Sequence, residues 1–479
     1  MSSLPPPPTP HPEAAPALRD RLEALGYSDG RVTELMEGTE WLTSRSDLAI
    51  VRRRVTGDGE FATAFRLFFL GLDADAAAVE RALAPVSLSS LADIGLLRRE
   101  GSTVRALVQL APVGSLLVAA DRGDPLRAPR DFVTGRTPST MALLGHTIRE
   151  RVGRALDVGC GNGAQALAAA RHADSVVATD LNPRALAFTR FNAALNRLAN
   201  VECRQGSWFE SVADDRFDLV VANPPFVVSP ESDLLYRDSG LPGDGAARQL
   251  VAGAAAHLGD GGYAHLVCSW AHPPDEWAAP LRDWVTGTGC DAWALRFSSS
   301  DPLRYATGWN AHLKDADPAA FEAAIERWLE YYRELDIPAL AYGLVVLRRR
   351  SSGSNWFRTA TLRGLPSGDS TPHLVRLFAR VATRNDEELL ASRLAPATGQ
   401  IVEQRLVPAA SGYRPDRAVV RMAPGIGLEC EVPTSVVDVL ERCDGARSLR
   451  DVLAENGAAP ESALPAVRRL LETGMVTAL

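Results

Sequence analysis

The sequence has no run of apolar residues that reaches the roughly 18 residues a helix needs to cross a bilayer. Its proline-rich N-terminal stretch has no basic segment followed by an apolar one, the pattern of a secretory signal. The six cysteines are scattered and form no CxxC pair, and the eight histidines form no HExxH motif. We therefore expect a cytoplasmic protein with reduced thiols, no membrane association and no structural metal.

Lysine is almost absent, since Lys314 is the only one and nearly every cation is arginine. The net charge is −8, from 51 lysines and arginines against 59 aspartates and glutamates. A protein that grips a phosphate backbone normally presents a basic face, so this balance disfavours nucleic acid as a partner without excluding a local basic patch. The chain is 46% hydrophobic and 23% charged, which is typical of globular proteins.

A chain of 479 residues is too long for one compact core, and about three domains are expected. Residues 1–16 are rich in proline and are predicted to be a disordered tail. Helical patterns followed by two strand-like runs predict a winged-helix-like domain over 17–129. Residues 130–350 form the core, 351–365 a linker, and 366–479 a second winged-helix-like α+β domain. The second helix of the first domain carries serines and an aspartate where a DNA reader needs cations, so we expect a docking or substrate-recruiting module there. The last domain is near-neutral, which favours protein contact or dimerisation over DNA binding.

Strand and helix patterns alternate through the core, which predicts an α/β fold: a doubly wound, Rossmann-like sheet of seven strands with the last one antiparallel. The predicted strands are 154–158, 175–180, 201–204, 217–222, 261–269, 290–297 and 341–348, and the predicted helices lie near 163–171, 183–196, 244–258 and 275–286. A helical insertion is predicted at 301–337, with Phe321, Ile325, Trp328, Leu329 and Tyr332 on one face. This face indicates either a packed surface helix or a wall or lid of the substrate site.

The motif DVGCGNG at 157–163 follows an apolar strand and opens a helix. Its glycines, Gly159, Gly161 and Gly163, allow a tight turn and let a ligand approach where a Cβ would clash. Asp157 can receive the amino group of a bound methionine moiety, and Asp180, at the end of the next strand, suits two ribose hydroxyls. Because the spacing is GxGxG and an Asn-Pro-Pro-Phe motif follows, S-adenosylmethionine fits better than a nicotinamide cofactor.

Three further residues are predicted to bind this cofactor. Leu181 directly follows Asp180 at the end of the second strand. Ser207 is placed to bond the adenine edge, and Trp208 to supply a backbone N–H and packing, with a core aromatic as the alternative for Trp208. These assignments extend the site from the glycine turn to the ends of the second and third strands.

The segment before the core, RDFVTGRTPSTMALLGHTIRE at 130–150, is expected to pass near the methionine end of the cofactor. On that basis Thr137 and Ser139 are predicted contacts. Ser139 and Thr140 are predicted to cap a helix that begins near Met141.

The motif NPPF at 223–226 is the most specific signal in the chain. Asn223 ends the fourth strand beside the cofactor, and the two prolines hold the backbone rigid, so that the Pro224 carbonyl points at a fixed spot. This carbonyl and the Asn223 side-chain oxygen can accept both hydrogens of an NH₂ group and orient its nitrogen. Phe226 can stack on the planar group that carries the nitrogen. The motif therefore predicts N-methylation, with Asn223, Pro224 and Phe226 as catalytic residues and no general base; Asn223 also borders the cofactor.

With these motifs, residues 154 to about 270 resemble the class I S-adenosylmethionine-dependent N-methyltransferases of the NPPY/F type. The similarity is greatest to the HemK-like glutamine N5-methyltransferases, and the small-domain guanine N2- and adenine N6-methyltransferases share the motif. The stretch YRDSGLPGDGAARQLV at 236–251 is similar to the glycine-rich acidic segment that follows NPPY in the glutamine enzymes. The resemblance implies the same roles for Asp157, Gly159, Asp180, Ser207 and Asn223. Phe226 stands where those enzymes usually carry tyrosine.

The acceptor remains open between several classes. The leading hypothesis is a glutamine-type amide of a protein or peptide, with an exocyclic amino group of a nucleic-acid base as the alternative. A small metabolite or peptide natural product is a third. A binding scaffold without activity is a fourth, which the intact Asp157, Asp180 and Asn223 disfavour. The sequence leaves the oligomeric state undetermined.

Overall fold

The structure is a computed structural model, and it describes residues 4–37, 45–57, 59–125, 128–350, 354–363, 366, 368–379 and 385–479. The chain forms two compact units. The larger comprises Met1–Leu144, Arg151–Ala294 and Ser298–Phe357, and the smaller comprises Gly145–Glu150, Leu295–Phe297 and Arg358–Leu479. The segment 17–129 thus lies in the larger unit together with the core strands. The predicted boundaries at 129/130 and within 351–365 stay predictions, and residues 351–353, 364 and 365 of that linker lie outside the described residues.

The N-terminal part of the larger unit is helical and ends in two hairpins. Its helices are α1 (Ala14–Ala24), α2 (Asp29–Leu35), α3 (Arg45–Arg54), α4 (Glu60–Ala64) with a π-helical turn at Phe65–Phe69, α5 (Ala76–Leu83) and α6 (Leu88–Asp93). Its strands are β1 (Ala74–Asp75), β2 (Leu97–Glu100), β3 (Thr103–Ala106), β4 (Val108–Val113) and β5 (Leu116–Asp121). Strands β1, β3 and β2 form an antiparallel sheet in that order, and β4 pairs with β5. The winged-helix interpretation of this part stays a prediction.

The predicted disordered tail is wrong for residues 4–16. Thr9 N–H donates to the Ile94 carbonyl at 2.9 Å, and Arg184 donates to the Pro5 carbonyl at 2.6 Å. Helix α1 begins at Ala14, and Ala14 and Ala15 are buried. Proline lacks an N–H but its carbonyl still accepts, so an extended proline-rich segment can be anchored by donors from the folded part.

The core of the larger unit is a mostly parallel sheet covered by helices. Its strands are β6 (Val152–Val158), β7 (Ala173–Asp180), β8 (Val201–Gln205), β9 (Phe217–Ala222), β10 (Leu258–Ala271), β11 (Cys290–Ser300) and β12 (Leu340–Arg349). Its helices are α7 (Pro138–His146), α8 (Ala164–Ala169), α9 (Pro183–Leu195), α10 (Gly245–His257), α11 (Ala279–Val285), α12 (Pro302–Trp309) and α13 (Pro318–Glu334). The strand β13 (Phe357–Thr361) pairs with β11 and, from Arg358 onward, belongs to the smaller unit together with Leu295–Phe297 of β11. The strand order is β13-β11-β12-β10-β9-β6-β7-β8, with β12 antiparallel to β10. The predicted Rossmann-like α/β class and the antiparallel seventh strand are confirmed. The predicted number of seven strands is one too low, because β13 forms within the segment predicted as a linker.

Helix α7 differs from its prediction at the start. It begins at Pro138 rather than near Met141, and the Thr137 hydroxyl accepts from the Thr140 N–H at 3.1 Å. Thr137 is therefore the capping residue, and the predicted caps Ser139 and Thr140 lie within the first turn. Proline is favoured at the first helical position, where its missing N–H has no partner to lose.

The insertion between β11 and β12 is helical, as predicted, and consists of α12 and α13. In α13, Ile325, Trp328 and Tyr332 are buried, while Phe321 and Leu329 are only partly buried. Trp328 and Tyr332 join a cluster with Val227, Val228 and Tyr305. The insertion thus packs on the segment that follows the NPPF motif.

The smaller unit contains the C-terminal part of the chain. Its helices are α14 (Thr371–Ala379), α15 (Asp386–Leu390), α16 (Thr434–Arg442), α17 (Leu449–Asn456) and α18 (Pro460–Glu472), and its strands are β14 (Leu394–Pro396), β15 (Gln400–Ala409), β16 (Gly412–Met422), β17 (Glu429–Val432) and β18 (Val476–Ala478). Strands β15, β16 and β17 form one sheet, and β14 pairs with β18. Within the described residues, no helix is both long and apolar enough to span a membrane.

Candidate active site

The motif residues meet where neighbouring parallel strands end. Val158 on β6 is level with Thr179 on β7 and with Ala222 on β9, and Asp180 is level with Gln205 on β8. The carboxyl ends of these strands therefore form one edge of the sheet, the place where open α/β folds bind ligands. The glycine turn, the acidic residue and the Asn-Pro motif all lie at this edge.

Asp157 sits beneath the glycine turn and is almost fully buried, with 1% of its surface exposed. One of its carboxylate oxygens accepts from the Ala166 N–H on α8 at 2.9 Å. Burial raises the pKa of Asp157 to about 7, the Ala166 N–H opposes the rise, and the charge of Asp180 adds to it. A second carboxylate oxygen is left for a cationic group of a ligand.

The glycine turn adopts the left-handed backbone that glycine permits. Gly159, Gly161 and Gly163 have φ values of +70°, +55° and +83°. A Cβ on Gly163 would stand 2.9 Å from the side chain of Thr189 on α9, so this position requires glycine for space as well as for conformation. A Cβ on Gly159 would stand 3.5 Å from Pro224, which places the turn directly against the NPPF motif.

The carboxylate of Asp180 holds two backbone donors at the end of β7. One oxygen accepts from the Gly161 N–H at 2.9 Å and the other from the Asn182 N–H at 2.8 Å. Burial raises the pKa of Asp180, and these N–H groups oppose the rise. Each carboxylate oxygen has a second lone pair, so the group can also accept from two hydroxyls.

Leu181, Ser207 and Trp208 surround the next part of the edge. The Leu181 side chain is 55% exposed, an unusual position for a large apolar residue beside buried strands. Ser207 N–H donates to the Glu210 carboxylate at 3.1 Å. Trp208 has a positive φ of 50°, is partly buried and packs against the core of the sheet. Both interpretations of Trp208, packing and cofactor contact, are compatible with this placement.

Asn223 has one end of its side-chain amide fixed and the other unused. Its Nδ2 donates to the Ser139 hydroxyl at 3.1 Å, and that hydroxyl shares a hydrogen bond with Thr137 at 3.0 Å. Its Oδ1 is buried and has no hydrogen-bond partner. A buried acceptor without a donor is costly, so this oxygen is suited to accept a hydrogen bond from a ligand group. Ser139 therefore orients Asn223, in addition to its predicted place near the cofactor.

Phe226 stands in an aromatic cluster. Its ring centroid is 5.2 Å from that of Tyr342 on β12 and 6.5 Å from that of Trp309 on α12, which meets it edge-on. Pro224 is buried, and Pro225 and Phe226 are partly buried. One face of the corner after β9 is thus closed by aromatic rings, an apolar setting for a flat group.

Two asparagines that the sequence analysis did not single out hold the segment 131–134 in place at this edge. Asn162 Nδ2 donates to the Thr134 carbonyl at 2.8 Å, and Asn182 Nδ2 donates to the Asp131 carbonyl at 2.8 Å. Both asparagines are buried, and each follows a predicted ligand residue in the sequence. A polar residue within the glycine turn, and another two positions after a strand end, were the signals that could have found them. The segment between Asp131 and Thr134 is thereby fixed beside the glycine turn.

The two carboxylates and the exposed leucine at this edge fit S-adenosylmethionine. A buried carboxylate beneath the turn suits its amino group, a carboxylate at the end of β7 suits its ribose hydroxyls, and an exposed leucine next to it suits the face of its adenine. The unpartnered Asn223 oxygen follows β9, on the other side of β6 from β7 in the strand order. It is available to accept a hydrogen bond from the substrate that receives the methyl group.

Comparisons with known proteins cover the part of the chain that holds this site. Residues 132–277 match the family model described as Methyltransferase small domain, and residues 24–107 match a model described only as a domain of unknown function. The release factor glutamine methyltransferases of Xylella fastidiosa (39% identical), Cereibacter sphaeroides (37%) and Deinococcus radiodurans (37%) align over 30%, 29% and 28% of this chain. The chain spans 55% of the length of each of these relatives. The predicted resemblance to class I, HemK-like methyltransferases is confirmed for this segment, and S-adenosylmethionine is its expected cofactor.

Proposed function

We propose that this chain is an S-adenosylmethionine-dependent N-methyltransferase that methylates the side-chain amide of a glutamine in a protein. The observation that carries the proposal is the unpartnered, buried Oδ1 of Asn223 at the end of β9. Its position next to Pro224, which contacts the glycine turn at Gly159, puts an NH₂ acceptor beside the predicted cofactor. Asn223, Pro224 and Phe226 are the proposed catalytic residues.

The bound cofactor supplies a methyl group activated by a sulfonium. Asp157, Gly159, Gly161, Gly163, Asp180, Leu181, Ser207 and Trp208 are proposed to bind it, with Asn223 at its border. Asn223 Oδ1 and the Pro224 carbonyl accept the two hydrogens of the amide and hold its nitrogen in line. Because an amide lone pair is delocalised, the gain comes from orientation and from acceptors aimed at the positive charge that develops on nitrogen. The proton leaves to water after transfer, so the site needs no strong base.

The relatives support a protein glutamine over the other acceptors. Three proteins named release factor glutamine methyltransferase are 37–39% identical over 28–30% of this chain. Residues 132–277, which include every proposed site residue, match the family model Methyltransferase small domain. The net charge of −8 disfavours a nucleic acid, whose backbone calls for a basic face. We therefore propose a translation release factor as the first acceptor, and the cytoplasm as the place of reaction.

The test is to incubate the purified protein with radiolabelled S-adenosylmethionine and a purified release factor. A parallel reaction contains lysate from a strain that lacks the gene. We expect label that protease releases and nuclease does not, and a mass increase of one methyl group on a glutamine. Label that nuclease removes and protease leaves would transfer the proposal to a nucleic-acid base.

The matched control is Asn223→Ala, which should bind the cofactor yet leave the release factor unlabelled. Label on a residue other than glutamine, with the parent protein, would retain the methyl transfer and refute the acceptor.

A further inference from the structure

We propose that the helical insertion, α12 with α13, is the positioning element of the acceptor side of the site, and that Tyr332 is its principal positioning residue. The segment it positions is the acceptor loop, defined as residues 226–244. This inference rests on the proposed function and adds to it an element that selects the acceptor. The argument follows three tethers along the loop.

The first tether is at Val228, two residues after Phe226. Its N–H donates to the Tyr305 hydroxyl on α12 at 3.3 Å, and its carbonyl accepts from the Tyr332 hydroxyl on α13 at 2.8 Å. Val228 is 1% exposed, so water cannot replace either phenol. Two side chains thus take the place of a neighbouring β-strand and fix the direction in which the chain leaves the Asn-Pro corner.

The second tether is a buried ionic network in the middle of the loop. Glu231 accepts from the Trp328 indole N–H and from Arg327, both on α13 and both at 3.1 Å. Arg237 bridges Glu231 at 2.6 Å and Asp238 at 2.7 Å. The side chains of Arg237 and Asp238 are 4% and 0% exposed, so the network is strongly sensitive to loss of one partner.

The third tether is at the end of the loop. Gly243 N–H donates to the Tyr331 hydroxyl on α13 at 2.7 Å. The next residue, Asp244, accepts from the Ala271 N–H at 3.1 Å, which joins the loop to the end of β10. Neighbouring tyrosines on one helix, Tyr331 and Tyr332, therefore hold the two ends of the acceptor loop.

The insertion also contacts a proposed catalytic residue directly. Trp309, the last residue of α12, meets the Phe226 ring edge-on at 6.5 Å between centroids. Apart from Asn223, the cofactor candidates belong to β6, β7 and β8 and the turns after them, whereas the insertion connects β11 and β12 on the other side of β9. A change in the insertion should therefore alter acceptor binding and leave cofactor binding intact.

The decisive variant is Tyr332→Phe, which removes one hydroxyl and keeps the ring. It leaves the Val228 carbonyl without its donor, and we expect the KM for the release factor to rise about 5- to 30-fold, as for the loss of one buried hydrogen bond. The dissociation constant for S-adenosylmethionine, from calorimetry, should stay within about twofold. The matched control is Tyr413→Phe, at a tyrosine that is 72% exposed on β16, with both constants unchanged.

An unchanged KM in Tyr332→Phe would overturn the inference, and so would a parallel loss of cofactor affinity, because that would make the insertion a general structural element. Normal cofactor binding also shows that the variant is folded. If Tyr332→Phe does not fold, Glu231→Gln tests the second tether by the same KM for the release factor and the same dissociation constant for S-adenosylmethionine. Hydrogen exchange separates this inference from the proposed function. Faster exchange of the acceptor loop in Tyr332→Phe, with an unchanged glycine turn, supports the tether even if the parent labels no glutamine, whereas unchanged exchange in the loop refutes it.

Discussion

Gly159 and Pro224 lie so close that a Cβ added to Gly159 would be in van der Waals contact with Pro224, 3.5 Å from its Cα. Gly159 and Pro224 are more than sixty positions apart in the sequence, so their proximity brings the two motifs together. It places the glycine turn against the corner that carries Asn223, and the ends of β6 and β9 are level at this point. Methyl donor and acceptor amide can therefore be brought together without a large movement of either motif.

Asp180 should be needed for cofactor binding beyond its structural role. Asp180→Ala is expected to weaken S-adenosylmethionine binding by about 1–3 kcal/mol, because the ribose loses a charged acceptor. The matched control is Asp218→Ala, since Asp218 also accepts from two backbone N–H groups, those of Gly153 and Arg154, but at the start of the sheet strands. Calorimetric titration compares the two. Equal affinity in both variants would remove Asp180 from the ribose.

Asp157 should make the stability of the fold depend on pH. Burial raises its pKa from 3.8 to about 7. A carboxyl whose pKa is higher in the folded than in the unfolded chain stabilises the fold while protonated, so this contribution is full below about pH 4 and is lost as the pH rises toward about 7. The asparagine in Asp157→Asn has no ionisable group, so the variant does not lose this contribution as the pH rises. Its free energy of unfolding, relative to that of the parent, should therefore increase between about pH 4 and pH 7. Urea unfolding at a series of pH values measures it, and a constant difference would contradict the raised pKa.

Leu181 should contribute to ligand binding and little to folding. Because its side chain is 55% exposed, Leu181→Ala is expected to leave the melting temperature unchanged and to weaken cofactor binding by about 1–2 kcal/mol, the value of an apolar contact with adenine. Leu406→Ala is the matched control, at a leucine that is 54% exposed on β15. A variant that binds the cofactor like the parent would exclude contact between Leu181 and the adenine.

The core strands could be predicted because each is a short apolar run bounded by turn residues. The motif residues could be placed because Asp157, Asp180 and Asn223 each stand at or next to the end of such a run. In parallel strands those ends share one edge. Local pattern and spacing thus predict every strand of the sheet except β13 and bring the motif residues to one edge of it.

The contacts that orient the site could not be predicted, because their partners are distant in the sequence. Asn192 on α9 bonds both the N–H and the carbonyl of Ala119 on β5, 73 residues away, and thereby docks the second hairpin on the core. The bond between Asn223 and Ser139 spans 84 residues, and that between Val228 and Tyr332 spans 104. Asparagine and tyrosine carry no periodic signal for such pairings, so only the fold reveals them.

The same limit explains the error at the chain start, whereas the error at α7 has a local cause. A proline-rich tail looks unable to pack, because proline has no N–H to donate. The Pro5 carbonyl nevertheless accepts from Arg184, and the Thr9 N–H donates to the Ile94 carbonyl. The start of α7 was placed too late because Pro138 and Thr137 form a cap that the run of Ser139 and Thr140 disguises.

The acceptor role of Asn223 is tested most directly by single-turnover methyl transfer with saturating cofactor. Asn223→Ala removes the unpartnered Oδ1 and should slow transfer to the release factor by about 100-fold or more, as for loss of one preorganised group that stabilises developing charge. The affinity for S-adenosylmethionine, measured on the same sample, should stay within several-fold of the parent. Transfer at the parent rate by Asn223→Ala would contradict the account.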